Sequence, residues 1–284
     1  MNEGLDPKDF GISIEEIQNQ INIFGKKGDD NRPAEQFSKD TLDEYQNFAK
    51  EHLGFEFNDI RLFITALTHR SYVNEHRNMH IEHNERLEFL GDAILELVTS
   101  DFLFRNFVEP EGIMTAWRSA LVRTESICEA SEEIGYVDLI RLSKGEKKGN
   151  SSRSHLSIVA DCFEAVTGAI YMDQGYEAAK KHIYKYILSK MLRMVENEDW
   201  RDPKSYLQEL TQKAENVIPT YRTVKEEGPD HDRIFEIVVQ VGNTVRGRGS
   251  GHSKQEAQAE AAKEAIKFYK KQVKDTGKLS PNSL

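Results

Sequence analysis

The sequence predicts an all-α domain followed by a small α+β module in the order α-β-β-β-α. Three observations carry that prediction. From Ser38 to Leu192 the apolar residues recur at helical spacing, and almost nothing alternates with period two. After Pro203, three short alternating runs read as strands between a leading and a closing helical segment. The charge also changes sign: residues 51–200 carry 17 basic and 25 acidic side chains, residues 201–284 carry 15 and 12.

Composition narrows the classes further. The chain has 284 residues, 38% hydrophobic and 30% charged, with a formal net charge of -10. That length is ample for a buried core. No run approaches the roughly 18 apolar residues of a membrane span, so no membrane partner is expected. The start, MNEGLDPKDF, has neither a basic n-region nor an apolar h-region, and the expectation is a cytoplasmic chain. Two cysteines, Cys128 and Cys162, are too few for a disulfide scaffold or a Cys-rich zinc site and fit buried thiols in a reducing compartment. Taken whole, the acidic balance argues against a nucleic-acid partner. Split along the chain, it does not, because the last part is net basic.

Taken in order, residues 1–40 read as a flexible acidic extension, with Ile14–Phe24 the one stretch of amphipathic-helix character. Thr41–Leu53 follows polar capping residues and stops at Gly54. Asp59–Leu67 is short. Asn84–Phe107 is long, with Leu87, Leu90, Ile94, Leu97 and Val98 at helical spacing. Met114–Glu133, Ser157–Gln174 and Tyr176–Leu192 complete a domain placed at 41–195. The polar stretch ENEDWRDP supplies a linker at 196–201. The second domain, 202–272, reads as a helix at Pro203–Asn216, strands at Thr220–Lys225, Phe235–Val241 and Thr244–Arg248, and a helix at Ser253–Lys271. Residues 273–284 read as a flexible tail.

Two acidic clusters carry the chemistry. In HNERLEFLGD (His83–Asp92), Glu85, Glu88 and Asp92 stand at i, i+3 and i+7, so a helix projects all three from one face. Alone, that pattern reads as a solvated acidic face, with Arg86 pointing elsewhere. In SIVADCFEAVTGAIYM (Ser157–Met172), Asp161 and Glu164 stand at i and i+3 inside an apolar, buried helix. A buried carboxylate needs a cation, a hydrogen-bond partner or a proton. Gly168 and Ala169 predict a close helix approach there. Two acid-bearing helices packed together would form an all-oxygen cage suited to Mg²⁺, with Mn²⁺ as substitute, rather than to Zn²⁺. Such a cage suits metal-assisted phosphodiester hydrolysis. Several neighbours have structural readings: Glu96 as a solvated or helix-pairing acid, His69 and His83 in local hydrogen bonds, Asn84 as the cap of the long helix, and Cys162, Trp117 and Phe163 in packing.

With these residues in place, the chain resembles the ribonuclease III family. The resemblance rests on HNERLEFLGD, ALTHRSY (Ala66–Tyr72), PEG (Pro110–Gly112), ALVR (Ala120–Arg123) and ADCFEAVTGAIYMD (Ala160–Asp173), over Tyr45–Leu192. It implies that Glu88, Asp92, Asp161 and Glu164 are the metal-binding carboxylates, with Asp92 and Glu164 at the catalytic centre. It implies supporting roles for Glu85 and Glu111. It further implies a homodimer that cuts double-stranded RNA to 5′-phosphate and 3′-hydroxyl ends with a short 3′ overhang, acting on ribosomal RNA precursors and other structured RNAs. Ala93 stands where many members carry Ser.

The tail resembles the double-stranded RNA-binding domain over Asp202–Lys271, through DPKSYLQEL, PTY, GPDH and SKQEAQAEAA. Such domains read A-form shape across two minor grooves and the phosphates between them. By position, Gln208 and Glu209 would face one groove, His231 the next, and Lys254 the phosphates. Apart from the resemblance, the GSGHSK stretch leads into a helix N-terminus, where free N–H groups attract anions. Only one Lys stands at this helix start, followed by Gln255 and Glu256, where the family often has two or three. Arg246 and Arg248 are the expected compensation. Two rival classes are a non-catalytic duplex-RNA binder and a metal-dependent hydrolase of small phosphoesters. The full set of acids argues against the first and the tail against the second.

Overall fold

The computed structural model describes residues 37–77, 81–147, 153–229 and 233–276. Most of the acidic extension, including Ile14–Phe24, lies outside the described residues, as do His231 and the end of the tail. The described residues fall into two compact units: those from residue 37 to Gly91 with those of 134–175, and those of 92–133 with those from Tyr176 to residue 276.

In the first unit, α1 (Lys39–Phe48) starts at Ser38, whose hydroxyl accepts from the Thr41 N–H at 3.2 Å. It widens into a π turn, Ala49–Leu53, and stops at Gly54 with φ 86°, a backbone conformation that favours glycine. Helix α2 (Ile60–Ala66) is capped by Asp59 and packs on α8 (Arg153–Gln174). The Asp173 carboxylate near the end of α8 accepts from the Asn58 and Asp59 N–H groups, both at 2.8 Å, and fixes the entry to α2. Phe63 is fully buried and stacks with Phe48 and Phe57. Helix α3 (Arg70–Glu75) has no counterpart in the sequence reading. Its cap is a His69 ring nitrogen, which accepts from the Ser71 N–H. The unit also holds α7 (Lys144–Lys147) and the first turns of α4 (Glu85–Asn106). Cys162 is buried and free, as expected.

The second unit begins within α4. Two expected helices are broken. Met114–Glu133 is α5 (Glu111–Leu121) and α6 (Thr124–Ile134), parted at Val122–Arg123. Helix α5 begins earlier than expected because the Pro110 carbonyl accepts the Ile113 and Met114 N–H groups. Tyr176–Leu192 is α9 (Tyr176–Tyr186), a 3₁₀ turn at Leu188–Lys190 and α10 (Met191–Asn197). In both places the apolar period runs through the break and hides it. Glu96 does pair between helices, with Arg118 on α5 at 2.9 Å.

The same unit holds the expected α-β-β-β-α module: α11 (Pro203–Glu215), β1 (Thr220–Glu227), β2 (Ile234–Val241), β3 (Thr244–Gly251) and α12 (Lys254–Thr276). The sheet is antiparallel in the order β1-β2-β3. The alternation places Phe235, Ile237, Val239 and Val241 on one face; the last three are buried and Phe235 is half-buried, and Val238 is buried too. Strand β3 lies directly on α12. A Cβ at Gly247 would stand 2.3 Å from the Ala261 carbonyl oxygen, and one at Gly249 only 2.2 Å from the Ala261 nitrogen. Ala257, Ala261 and Ala265, at i, i+4 and i+8, form the facing stripe and are fully buried. This pairing of glycines with alanines explains Gly247 and Gly249, while a Cβ at Gly251 would meet the Glu256 side chain. Gly249→Ala should destabilise the module by about 2 kcal/mol or more, because the obstructing atoms are backbone. Thermal melting followed by circular dichroism measures it.

Candidate functional site

The candidate active site starts from two glycines. A Cβ on Gly91 of α4 would lie 1.7 Å from the Glu164 carbonyl oxygen of α8, and one on Gly168 would lie 2.3 Å from the Leu87 carbonyl oxygen. The helices therefore cross backbone against backbone. The crossing sets the turns that carry Glu85 and Glu88 against the turns that carry Asp161 and Glu164. Asn84 locks the register. Its N–H donates to the Thr68 carbonyl at 2.9 Å, and its side-chain amide donates to Cys162 Sγ at 3.6 Å. The sequence reads Asn84 as a helix cap. It does stand before the first turn, its carbonyl accepting from Leu87 and Glu88, but its side chain bridges the two helices instead.

Charge at the crossing is lopsided. Asp161 is half-buried, and burial first, then the nearby Glu85 charge, push its carboxyl above the usual range. It makes no hydrogen bond or ion pair among the described residues. Glu85 itself is balanced by Arg70 of α3, at 2.6 Å, with His83 at 3.7 Å. Arg70 is the positive charge among these acids. It lies within ALTHRSY, but only the fold brings it to the acids. Asp92 follows Glu88 by one turn on α4 and is exposed. Glu111, at the start of α5, is exposed and accepts from the Thr115 hydroxyl at 2.9 Å. Among the described residues, no three His, Cys, Asp or Glu side chains converge closely enough to hold a metal ion as they stand. The donor set still fits one: every candidate ligand is a carboxylate, and half-buried Asp161 lacks a counter-charge. His69 is a poor base candidate, since burial pushes its pKa down and its ring caps α3.

In the C-terminal module, Gln208 and Glu209 are exposed side by side on α11. Lys254 opens α12, more than half exposed, 2.9 Å from Glu226 of β1. The start of α12 is capped from both sides: the Ser253 hydroxyl accepts from the Glu256 N–H, as in a capping box, and the Glu256 carboxylate accepts from the N–H of His252, one residue before the cap. Glu256 is therefore structural, and the S-x-x-E spacing that announces it was present in the sequence. The two expected compensating arginines differ. Arg246 is only 14% exposed, lies over the Phe268 ring and stands 3.7 Å from Glu215, so it braces the module and is not presented to a ligand. Arg248 is exposed, 3.7 Å from Glu236.

The chain matches known families over both parts. Residues 59–191 match the ribonuclease-III-like family model, and residues 203–269 match the double-stranded RNA binding motif. Ribonuclease 3 of Streptococcus gordonii is 42% identical over 222 residues, covering 78% of this chain and 95% of that protein. Ribonuclease 3 of Enterococcus faecalis is 43% identical over 219 residues, covering 77% and 94%. Among solved structures, the nuclease domain of ribonuclease III from Campylobacter jejuni is similar at 35% identity and a TM-score of 0.45, covering 50% of this chain and 95% of that one.

The Asp161 environment has a consequence for stability. Above its raised folded-state pKa, the ionised carboxylate weakens the fold; below the unfolded-state value near 3.8 it is protonated in both states and the penalty is gone. Asp161→Asn should therefore melt at a higher temperature than the wild type at pH 7.5 without added divalent ions. The gap should narrow as the pH falls through the carboxylate range. Calorimetry across that pH series is the check.

Proposed function

Because the chain belongs to the ribonuclease III family and carries a double-stranded RNA binding motif, we propose that it is an endoribonuclease that hydrolyses duplex RNA with the help of a divalent ion. The observation that carries this reading is the α4–α8 crossing, which holds half-buried Asp161 without a counter-charge opposite a second acidic helix. Glu88, Asp92, Asp161 and Glu164 would hold Mg²⁺, or Mn²⁺ in its place. When bound, the ion supplies Lewis-acid stabilisation of charge that builds on the phosphoryl and leaving oxygens. The four carboxylates fix where that charge is received. Glu85 and Glu111 support the acidic surface, with Arg70 limiting its mutual repulsion at Glu85. The products would be 5′-phosphate and 3′-hydroxyl ends, and the substrates ribosomal RNA precursors and other structured RNAs in the cytoplasm.

In the module, Gln208 and Glu209 would meet one minor groove, His231 the next and Lys254 the intervening phosphates. No helix among the described residues is long and apolar enough to cross a membrane. The proposed working form is a homodimer. Phe89, Leu97 and Phe104 stand 82%, 58% and 78% exposed along one stripe of α4, an apolar face that a second copy would cover.

Two experiments test these proposals. Glu164→Gln should still bind duplex RNA in Mg²⁺ but cut it about a hundredfold or more slowly; wild-type cleavage in a gel assay would remove Glu164 from the catalytic centre. Phe89→Asp should shift the protein to a monomer in sedimentation and abolish cutting; an unchanged dimer would displace the interface from α4.

A further inference from the structure

The linker between α10 and α11 is folded against the RNA-binding module. Glu198 ends α10 in the left-handed region, at φ 59°, which is unfavourable for a residue with a side chain. Its carboxylate explains why it stays there. It accepts from the Tyr206 hydroxyl of α11 and stands 3.2 Å from Lys270 of α12 and 3.4 Å from Arg201. Lys270 also donates to the Asn197 carbonyl at 2.8 Å.

Arg201 is the centre of this arrangement. Its guanidinium lies 3.9 Å from the Tyr206 ring centroid and 5.6 Å from that of Trp200. One edge meets Glu198 and the other meets Glu209. The Arg201 side chain is 22% exposed while that of Glu209 is 53% exposed. A rigid guanidinium held between rings and carboxylates loses little freedom for each bond it makes. The partner it holds is one of the two side chains proposed to enter an RNA minor groove.

We propose that Arg201 is a positioning residue that withholds Glu209 from RNA in the free protein. The proposal rests on the reading of Glu209 as an RNA contact. While Glu209 Oε2 accepts from the guanidinium, that oxygen is not offered to a ribose 2′-hydroxyl and the side chain is held toward the linker. A bound duplex has to separate the pair before Glu209 can reorient and engage with both oxygens. Arg201 remains stacked on Tyr206 and paired with Glu198 when Glu209 leaves, so the pair re-forms on release. The linker thereby sets the affinity of the module without touching RNA. Ionic strength acts on it in a specific direction, because screening loosens the pair as well as the phosphate contacts.

The test uses the full chain in EDTA, with a fluorescent RNA duplex of about 20 base pairs, and compares wild type with Arg201→Gln, Arg201→Lys and Glu209→Gln by anisotropy. Arg201→Lys keeps the positive charge but loses the planar fork and the stack. Both Arg201 variants should bind about three- to tenfold more tightly than wild type at low salt. That gain should shrink as salt rises, and in Mg²⁺ they should show a lower KM with kcat unchanged. Glu209→Gln should bind more weakly than wild type. If Glu209→Gln weakens binding while both Arg201 variants bind equally well or less well, the proposal is overturned, and weaker binding would make Arg201 an RNA ligand itself. If Glu209→Gln binds like wild type, the underlying assignment of Glu209 fails, and the proposal with it.

Discussion

The close crossing of α4 and α8 is the contact on which the candidate active site depends. At Gly91 and Gly168 the two backbones touch, and neither position has room for even one more carbon. Everything near the site follows from that distance. It brings the first turns of one acidic helix over the acidic turn of another, and it buries Cys162 beneath Asn84. It also puts Asp161 where water covers only part of its carboxyl. Packing here works against electrostatics: the apolar faces favour the approach and the acids oppose it.

The fold offsets only part of that opposition. Arg70, from the short helix α3, neutralises Glu85. Asp161 is left without an equivalent partner among the described residues. A site of this kind gives up stability when empty and recovers it when a cation binds. The net charge of -10 then has a different meaning from the one it first suggests. It combines an acidic N-terminal stretch, an acidic helical domain and a mildly basic C-terminal module, and a whole-chain sum conceals all three.

Much of this was legible in the sequence, for identifiable reasons. The helical period of Asn84–Phe107 and Ser157–Gln174 and the alternation of Phe235–Val241 are local signals, and the elements formed where they predicted. The α4–α8 approach was legible because Gly168 and Ala169 stand together in the helix as small residues. Long-range contacts were not. Nothing local pairs Arg70 with Glu85, turns Asn84 toward Cys162, or buries Arg246 against Phe268. The breaks at Val122–Arg123 and after Tyr186 escaped because the apolar period continues through them. The cap at Ser253–Glu256 is visible in the S-x-x-E spacing. Arg201 lay in a segment that composition marks only as a linker.

The glycine-to-glycine crossing organises the carboxylates proposed to be catalytic. Its most direct test is Gly168→Ala, measured for duplex RNA affinity in EDTA and for duplex cleavage in Mg²⁺. Binding should stay near the wild-type level, since the C-terminal module has its own core of Leu207, Val239, Ala261 and Tyr269, while cleavage should fall about a hundredfold or more. Cleavage at the wild-type rate would contradict it.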